Sequence, residues 1–146
     1  MILTGTQAQT IGGGAAYAIS KLEINKDGGN VQLDRAMTID SSITFVNGII
    51  STDSVITLKA ATTCNGASNQ SFVDGPVKKI GNTAFVFPVG DEGTYFPVGI
   101  SAPSISTDSY LARYYFQPQI IGDSLDTNLS SLSLCNYWKL ERINGT

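Results

Sequence analysis

The sequence predicts an all-β fold: a short right-handed parallel β-helix of about three coils, followed by antiparallel strands that form a partial sandwich or a cap. Residues 31–60 divide into the six-residue pieces VQLDRA, MTIDSS, ITFVNG, IISTDS and VITLKA, and each piece opens with an apolar residue. Apolar and polar residues alternate within the pieces, as they do in strands with one buried face. Turn residues such as Asn47-Gly48 follow each strand, so the strands are too short for ordinary hairpin meanders.

Grouping three strands into each coil superposes apolar residues on apolar residues. The predicted pairs are Leu22 and Ile24 with Ile43 and Phe45, Val31 with Ile50, and Met37 and Ile39 with Ile56 and Leu58. The offsets between partners are 43 − 22 = 21, 50 − 31 = 19 and 56 − 37 = 19 residues, within the range of solenoid repeats. We therefore expect these side chains to stack in a shared interior.

The pattern changes along the chain, which divides it into two regions. Residues 1–92 are predicted to form the β-helical region, with a third coil interrupted by the loop TTCNGASNQS at 62–71. Residues 93–146 are predicted to form an antiparallel β region, because longer alternating segments occur at 110–116 and 137–143. Residues 120–134 are rich in Ser, Asp and Asn and indicate a loop. We expect the chain to be a piece of a larger protein and predict no helix.

Composition excludes several classes of partner. The net charge is −3, and no basic run is longer than Lys78-Lys79, so we expect no nucleic acid partner. No apolar stretch approaches the eighteen or so residues of a membrane span, so we expect no membrane insertion. The start of the chain lacks the features of a signal peptide. Abundant Ser, Thr, Asn and Gly are nevertheless typical of extracellular β proteins and predict an extracellular, cell-surface location.

The sequence offers no catalytic, metal or cofactor residues. The absence of histidine removes Ser-His-Asp and Cys-His catalysis and the common histidine metal sites. Asp91-Glu92 could supply an acid and a base or a calcium ligand, but adjacent residues on a tight turn usually point apart into water. We therefore predict a protein that is not an enzyme.

Two interpretations stay open for the cysteines, Cys64 and Cys135. In an oxidising compartment they could form one disulfide, which would stabilise the fold by about 3 to 4.5 kcal/mol in the chain-entropy model. The alternative is two separate buried thiols.

Aromatic residues of the second region are candidates for carbohydrate contact, chiefly Tyr115 and Trp138. Their rings present apolar faces to sugars, but a strand turns half of its side chains inward, where they form core. Core packing is the favoured interpretation for most of them.

The segments FVDGPVKKIGNTAFVFPVGDEGTYFPVGIS, ARYYF and CNYWKLERINGT resemble a repeat-bearing region of very large cell-surface proteins of Bacteroidetes. Such proteins are typically exported by the type IX secretion pathway and include adhesin-like and gliding-associated members. Unlike complete members, this chain shows no signal peptide, sorting domain or enzyme module. The resemblance implies export and is only weakly specific for activity.

Three functional hypotheses follow. The first is a non-enzymatic structural or adhesive module, a stalk, spacer or filament-forming segment whose partners are surface polysaccharide or neighbouring copies of itself. The second is a carbohydrate-binding accessory module of a secreted polysaccharide-active protein. The third, a lyase or hydrolase, would need a groove lined by charged residues from several coils, and the arginine candidates Arg35 and Arg113 lie in different regions.

Overall fold

The computed structural model describes residues 1–118 and 135–145, and within them the protein is all-β. It forms a β-solenoid of about four turns with antiparallel strands at one end, which confirms the predicted fold class. The strands are β1 (Ile2–Gly5), β2 (Gln9–Ile11), β3 (Tyr17–Lys26), β4 (Val31–Leu33), β5 (Met37–Asn47), β6 (Ile50–Ser51), β7 (Ile56–Leu58), β8 (Thr63–Asn65), β9 (Val73–Asp74), β10 (Val77–Ile80), β11 (Phe85–Phe87), β12 (Val89–Asp91), β13 (Thr94–Tyr95), β14 (Val98–Ile100), β15 (Ser109–Tyr115) and β16 (Tyr137–Asn144). The loop expected at 120–134 lies outside the described residues.

Three sheets form the walls of the solenoid and its cap. The largest sheet runs in the order β1-β3-β5-β7-β10-β15-β16, and β8 pairs with the second half of β5. The second sheet runs β13-β12-β9-β6-β4-β2, and β11 pairs with β14 in a small third sheet. Pairs between successive coils are parallel, because each coil returns the chain to the same side of the stack.

The predicted stacking of apolar residues is confirmed pair by pair. The observed partners are Leu22 with Ile43, Ile24 with Phe45, Val31 with Ile50, Met37 with Ile56, and Ile39 with Leu58. All ten side chains are at most 3% exposed. Burying an aliphatic side chain of this size contributes about 1.5–3 kcal/mol, so the stacked rows are the main source of stability.

The segment 62–71 corrects one sequence expectation. The sequence pattern predicts an inserted loop here, but Thr63–Asn65 forms β8, and Cys64 lies directly over Ile43. Together with β1 and β2 at the start of the chain, β8 extends the stack beyond the three coils that the apolar pattern indicates. The three residues of β8 are polar or half-buried, so they give no apolar signal although their backbone continues the ladder.

The coils end where the strands change direction. The last parallel pair joins β12 to β9, and β12 then pairs with β13 in an antiparallel hairpin. On the other wall β15 runs antiparallel to β10, and β16 runs antiparallel to β15. These strands pair with the last coil, so the edges of its strands are not left open to pair with other chains. The described residues contain no helix that is long and apolar enough to cross a membrane.

No disulfide joins Cys64 and Cys135 in the structure, so the two thiols are separate. They are not both buried as that interpretation expected, because Cys64 is half-buried and Cys135 is exposed. Cys64 stacks on Ile43, so it lies past the C-terminal ends of β7 and β10. Cys135 comes just before β16, whose first residue pairs with Tyr115, so it lies past the N-terminal end of β10. The two residues therefore lie at different corners of the coil, whereas a disulfide needs Cα atoms within about 7 Å.

Candidate functional site

A polar cleft lies at one corner of the solenoid, where the second sheet turns into the largest one. Three of its residues come from equivalent positions on successive strands, because Gln32 pairs with Ser51 and Ser51 pairs with Asp74. Side chains at paired positions of neighbouring strands project on the same face. The cleft has a volume of about 200 Å³ and is lined by Gln32, Ser51, Thr52, Asp53, Asp74 and Arg113.

Arg113 reaches this corner from the antiparallel strand β15. It follows Ala112, which pairs with the first residue of β10, so it lies just beyond the start of that strand. Its Nη2 lies 3.1 Å from Oδ1 of Asp53, whose side chain is 94% exposed. An ion pair this exposed adds little stability, so its significance is that it brings a cation and a carboxylate to the rim of the cleft.

The Tyr115 ring contacts Arg113, and Tyr137 in turn supports Tyr115. The Arg113 guanidinium lies 5.0 Å from the centroid of the Tyr115 ring. The Tyr115 ring stacks on Tyr137, its cross-strand partner, with centroids 4.9 Å apart and an interplanar angle of 17°. Stacking of a guanidinium on an aromatic ring contributes about 0.5–1 kcal/mol at exposed positions. The arrangement restricts the orientation of Arg113 at the corner.

Asp74 and Asp91 form a carboxyl pair beside Arg113. Burial is the main cause that raises the pKa of Asp74 to about 6, and the negative charge of Asp91 adds to it, while Arg113 acts in the opposite direction. A hydrogen bond between the two carboxyl groups further favours a protonated Asp74. Asp91 also accepts the backbone N–H of Phe116 at 2.9 Å, which ties the end of β15 to β12. Asp91 therefore links the cap to the last coil.

The structure separates the two predicted carbohydrate contacts. Tyr115 is half-buried at the corner, whereas Trp138 pairs with the buried Tyr114 on the opposite face of the sheet. The Trp138 indole donates to the carbonyl of Phe96 at 2.9 Å and packs against the Phe96 and Tyr114 rings. Tyr115 and Trp138 thus cannot line one common surface.

The other charged candidates also take distinct places. Asp91 is half-buried and accepts the Phe116 N–H, whereas Glu92 is exposed. Arg35 donates to the carbonyl of Gly13 at 3.0 Å and is not part of the cleft. Among the described residues, no group of three or more His, Cys, Asp or Glu is arranged to hold a metal ion.

Sequence reasoning missed Asp53 and Asp74 as members of a site. The sequence pattern places both in turns, and each turn is unremarkable when considered alone. Asp74 pairs with Ser51, two residues before Asp53, and this offset of 74 − 51 = 23 residues is larger than the offsets of 19 to 21 residues that the apolar pattern indicates, so the sequence gives no signal that brings the two aspartates to one corner. No sequence signal places Arg113 at this corner either, because its position depends on how the antiparallel strand β15 pairs with β10.

A second cleft, of about 410 Å³, lies between β8 and β11 and has Lys79 in its wall. Lys79 is 3% exposed, and its Nζ donates to the carbonyls of Lys59, Ala60 and Thr62 at 2.6, 2.8 and 3.4 Å. All three protons of the ammonium group are engaged in this way, so the amine is occupied as a structural donor.

Comparison with family models, with curated proteins and with solved structures finds no match for the chain.

Proposed function

We propose that this protein is a non-enzymatic structural module, a stalk or spacer segment of a large bacterial surface protein exported from the cell. The observation that carries the proposal is the uninterrupted stack of buried rows, in which every coil rests on the one before it. A stack of this kind holds its two ends at a defined separation. The composition typical of extracellular β proteins and the resemblance to surface proteins of Bacteroidetes support the location.

Polar contacts between coils support the same proposal. Buried hydroxyl groups on one coil donate to main-chain carbonyls of the coil below: Thr52 to Leu33 at 2.7 Å, Thr62 to Ile39 at 2.7 Å, and Ser71 to Gly48 at 2.8 Å. A buried carbonyl left without a donor costs about 1–3 kcal/mol, so these bonds penalise the separation of adjacent coils. Hydrogen bonds therefore link successive coils at the corners of the solenoid as well as along its sheets.

The kinetics of unfolding test the proposal. We expect one cooperative transition with an unfolding rate in water below about 10⁻⁴ s⁻¹, slow within the range of small domains. Replacing a stacked residue, Ile39→Ala, should accelerate unfolding, while Thr38→Ala on the outward face of the same strand should not. Stopped-flow urea unfolding measures both rates. Unfolding within about a second, or release of reducing ends from polysaccharides by the purified protein, would contradict a non-enzymatic spacer.

A further inference from the structure

We propose that the corner cleft between β6, β9 and β15 is a binding site for a neutral sugar unit of a polysaccharide. The proposal goes beyond the spacer function, because a spacer needs no ligand. It also differs from the aromatic contacts expected from the sequence, since its ligand-facing groups are Gln32, Ser51, Asp53 and Arg113.

The size of the cleft fits one sugar ring. A volume of about 200 Å³ lies below the range of about 300–1,000 Å³ that is typical of sites for larger small molecules, so the cleft suits a ligand no larger than one sugar ring. The cleft runs across the strands of the second sheet, so a chain of linked sugars could continue along the outward row of Ser51 and Gln32.

The lining groups match the chemistry of hydroxyl groups. Each sugar hydroxyl donates one hydrogen bond and accepts others, so its site needs donors and acceptors side by side. Asp53 supplies acceptors, Arg113 supplies donors, and Gln32 and Ser51 supply both. Arg113 is held in position by Asp53 at 3.1 Å and by the Tyr115 ring, which reduces the entropy lost on binding.

The charges of the cleft favour a neutral sugar over a charged one. Two carboxyl groups, Asp53 and Asp74, line the cleft with a single guanidinium, and Asp91 lies next to Asp74. A uronic acid or a sulfated sugar would meet an excess of negative charge. An ammonium group would have to compete with Arg113 for Asp53, whereas a sugar hydroxyl can donate to the remaining lone pairs of that carboxylate while the ion pair stays intact.

The aromatic residues have a supporting role in this site. One face of the Tyr115 ring lies against Tyr137 and the guanidinium of Arg113 also covers the ring, so Tyr115 positions Arg113 and is not itself a stacking platform. A shallow polar cleft without such a platform binds a single sugar weakly. A polymer that presents the same sugar repeatedly is therefore the appropriate probe.

Affinity electrophoresis of the full chain tests the site. Native gels would contain a neutral glucan, mannan, xylan or galactan, and at least one of them should retard the protein. We expect Gln32→Ala and Asp53→Ala each to weaken retardation by about fivefold or more, since each removes hydrogen bonds to the ligand. Both side chains are exposed, so neither change should unfold the protein, and equal urea midpoints would verify this.

Two controls separate binding in the cleft from binding elsewhere on the protein surface. Thr57→Ala changes an outward side chain on β7, away from the cleft, and should leave retardation unchanged. Carboxymethylation of the retarding polysaccharide should weaken its binding. The proposal is overturned if no neutral polysaccharide retards the protein, if Gln32→Ala and Asp53→Ala bind like the unchanged chain, or if only the carboxymethylated polymer retards it. None of these outcomes would affect the unfolding kinetics that test the spacer function.

Discussion

Lys79 and Ala60 join two successive coils through a hydrogen bond, in which the Nζ of the buried Lys79 donates to the Ala60 carbonyl at 2.8 Å. Lys79 occupies the interior row above Leu58, where an apolar residue would be expected. Lys26 makes a similar contact near the start of the stack, donating to the carbonyls of Gln7 and Thr4 at 2.6 and 3.3 Å. Lys79 thus satisfies carbonyls of the turn that follows β7, and Lys26 satisfies one carbonyl of strand β1 and one of the bend that follows it.

Replacing Lys79 should destabilise the fold. Lys79→Met keeps the length of the side chain but leaves the carbonyls of Lys59, Ala60 and the buried Thr62 without their donor. We therefore expect a loss of about 1–3 kcal/mol in the free energy of unfolding. Lys78→Met, on the outward face of the same strand, should change it by less than about 0.5 kcal/mol. Urea unfolding of the two variants makes the comparison. Equal losses would show that the carbonyl contacts contribute nothing.

The Asp74 carboxyl should make stability depend on pH in an unusual direction. Its pKa is about 6 in the folded protein and 3.8 in its ordinary state, so the folded state binds more protons between these values. The contribution of this group to stability is therefore highest below about pH 4, falls as the pH rises to about 6, and is constant above that.

Asp74→Asn should remove this dependence on pH. The variant should also be more stable than the unchanged protein at pH 7, because a neutral amide avoids the cost of holding a carboxylate half-buried beside Asp91. Other carboxylates titrate too, so the difference in urea midpoint between the two proteins at pH 4 and pH 7 is the quantity to measure. Asp27→Asn, at an exposed carboxylate outside the cleft, serves as the control. A difference that does not change with pH would contradict the carboxyl pair.

The two thiols should differ in reactivity. Burial raises the pKa of Cys64 to about 12, although the Lys79 charge acts in the opposite direction, so Cys64 is a protonated and poorly reactive thiol at pH 8. Cys135 is exposed. A disulfide exchange reagent such as DTNB should therefore titrate one thiol rapidly in the folded chain and two after unfolding. Finding no reactive thiol in the unfolded, unreduced protein would instead show a disulfide.

Two glycines with similar backbone conformations should respond very differently to substitution. Gly66 and Gly93 have φ values of 80° and 73°, in the region that favours glycine. A Cβ at Gly66 would overlap the carbonyl oxygen of Phe45 in the coil below, whereas a Cβ at Gly93 would meet nothing within 4 Å. Gly93→Ala should cost about 1–2 kcal/mol and Gly66→Ala clearly more. Thermal unfolding compares them, and equal costs would contradict this close approach of the coils.

The alternation of Met37 and Ile39 and the turn residues beyond them were sufficient to predict a solenoid. This succeeded because the coil is built from local strand and turn preferences that repeat at a nearly constant offset. The same reasoning missed β8, since Thr63, Cys64 and Asn65 carry no alternating apolar signal. It also left the pairing of Cys64 with Cys135 open, because a distance between remote residues depends on the whole fold.

The chain order of apolar and polar residues was enough to establish an all-β stack, its interior rows and the absence of histidine chemistry, because each is a local or compositional property. The corner cleft was different. Gln32, Asp53, Asp74 and Arg113 are spread over most of the described chain, and no local preference brings them together. Their meeting requires the register of successive coils and the antiparallel return of β15, so it became visible only after the coils had been stacked and capped.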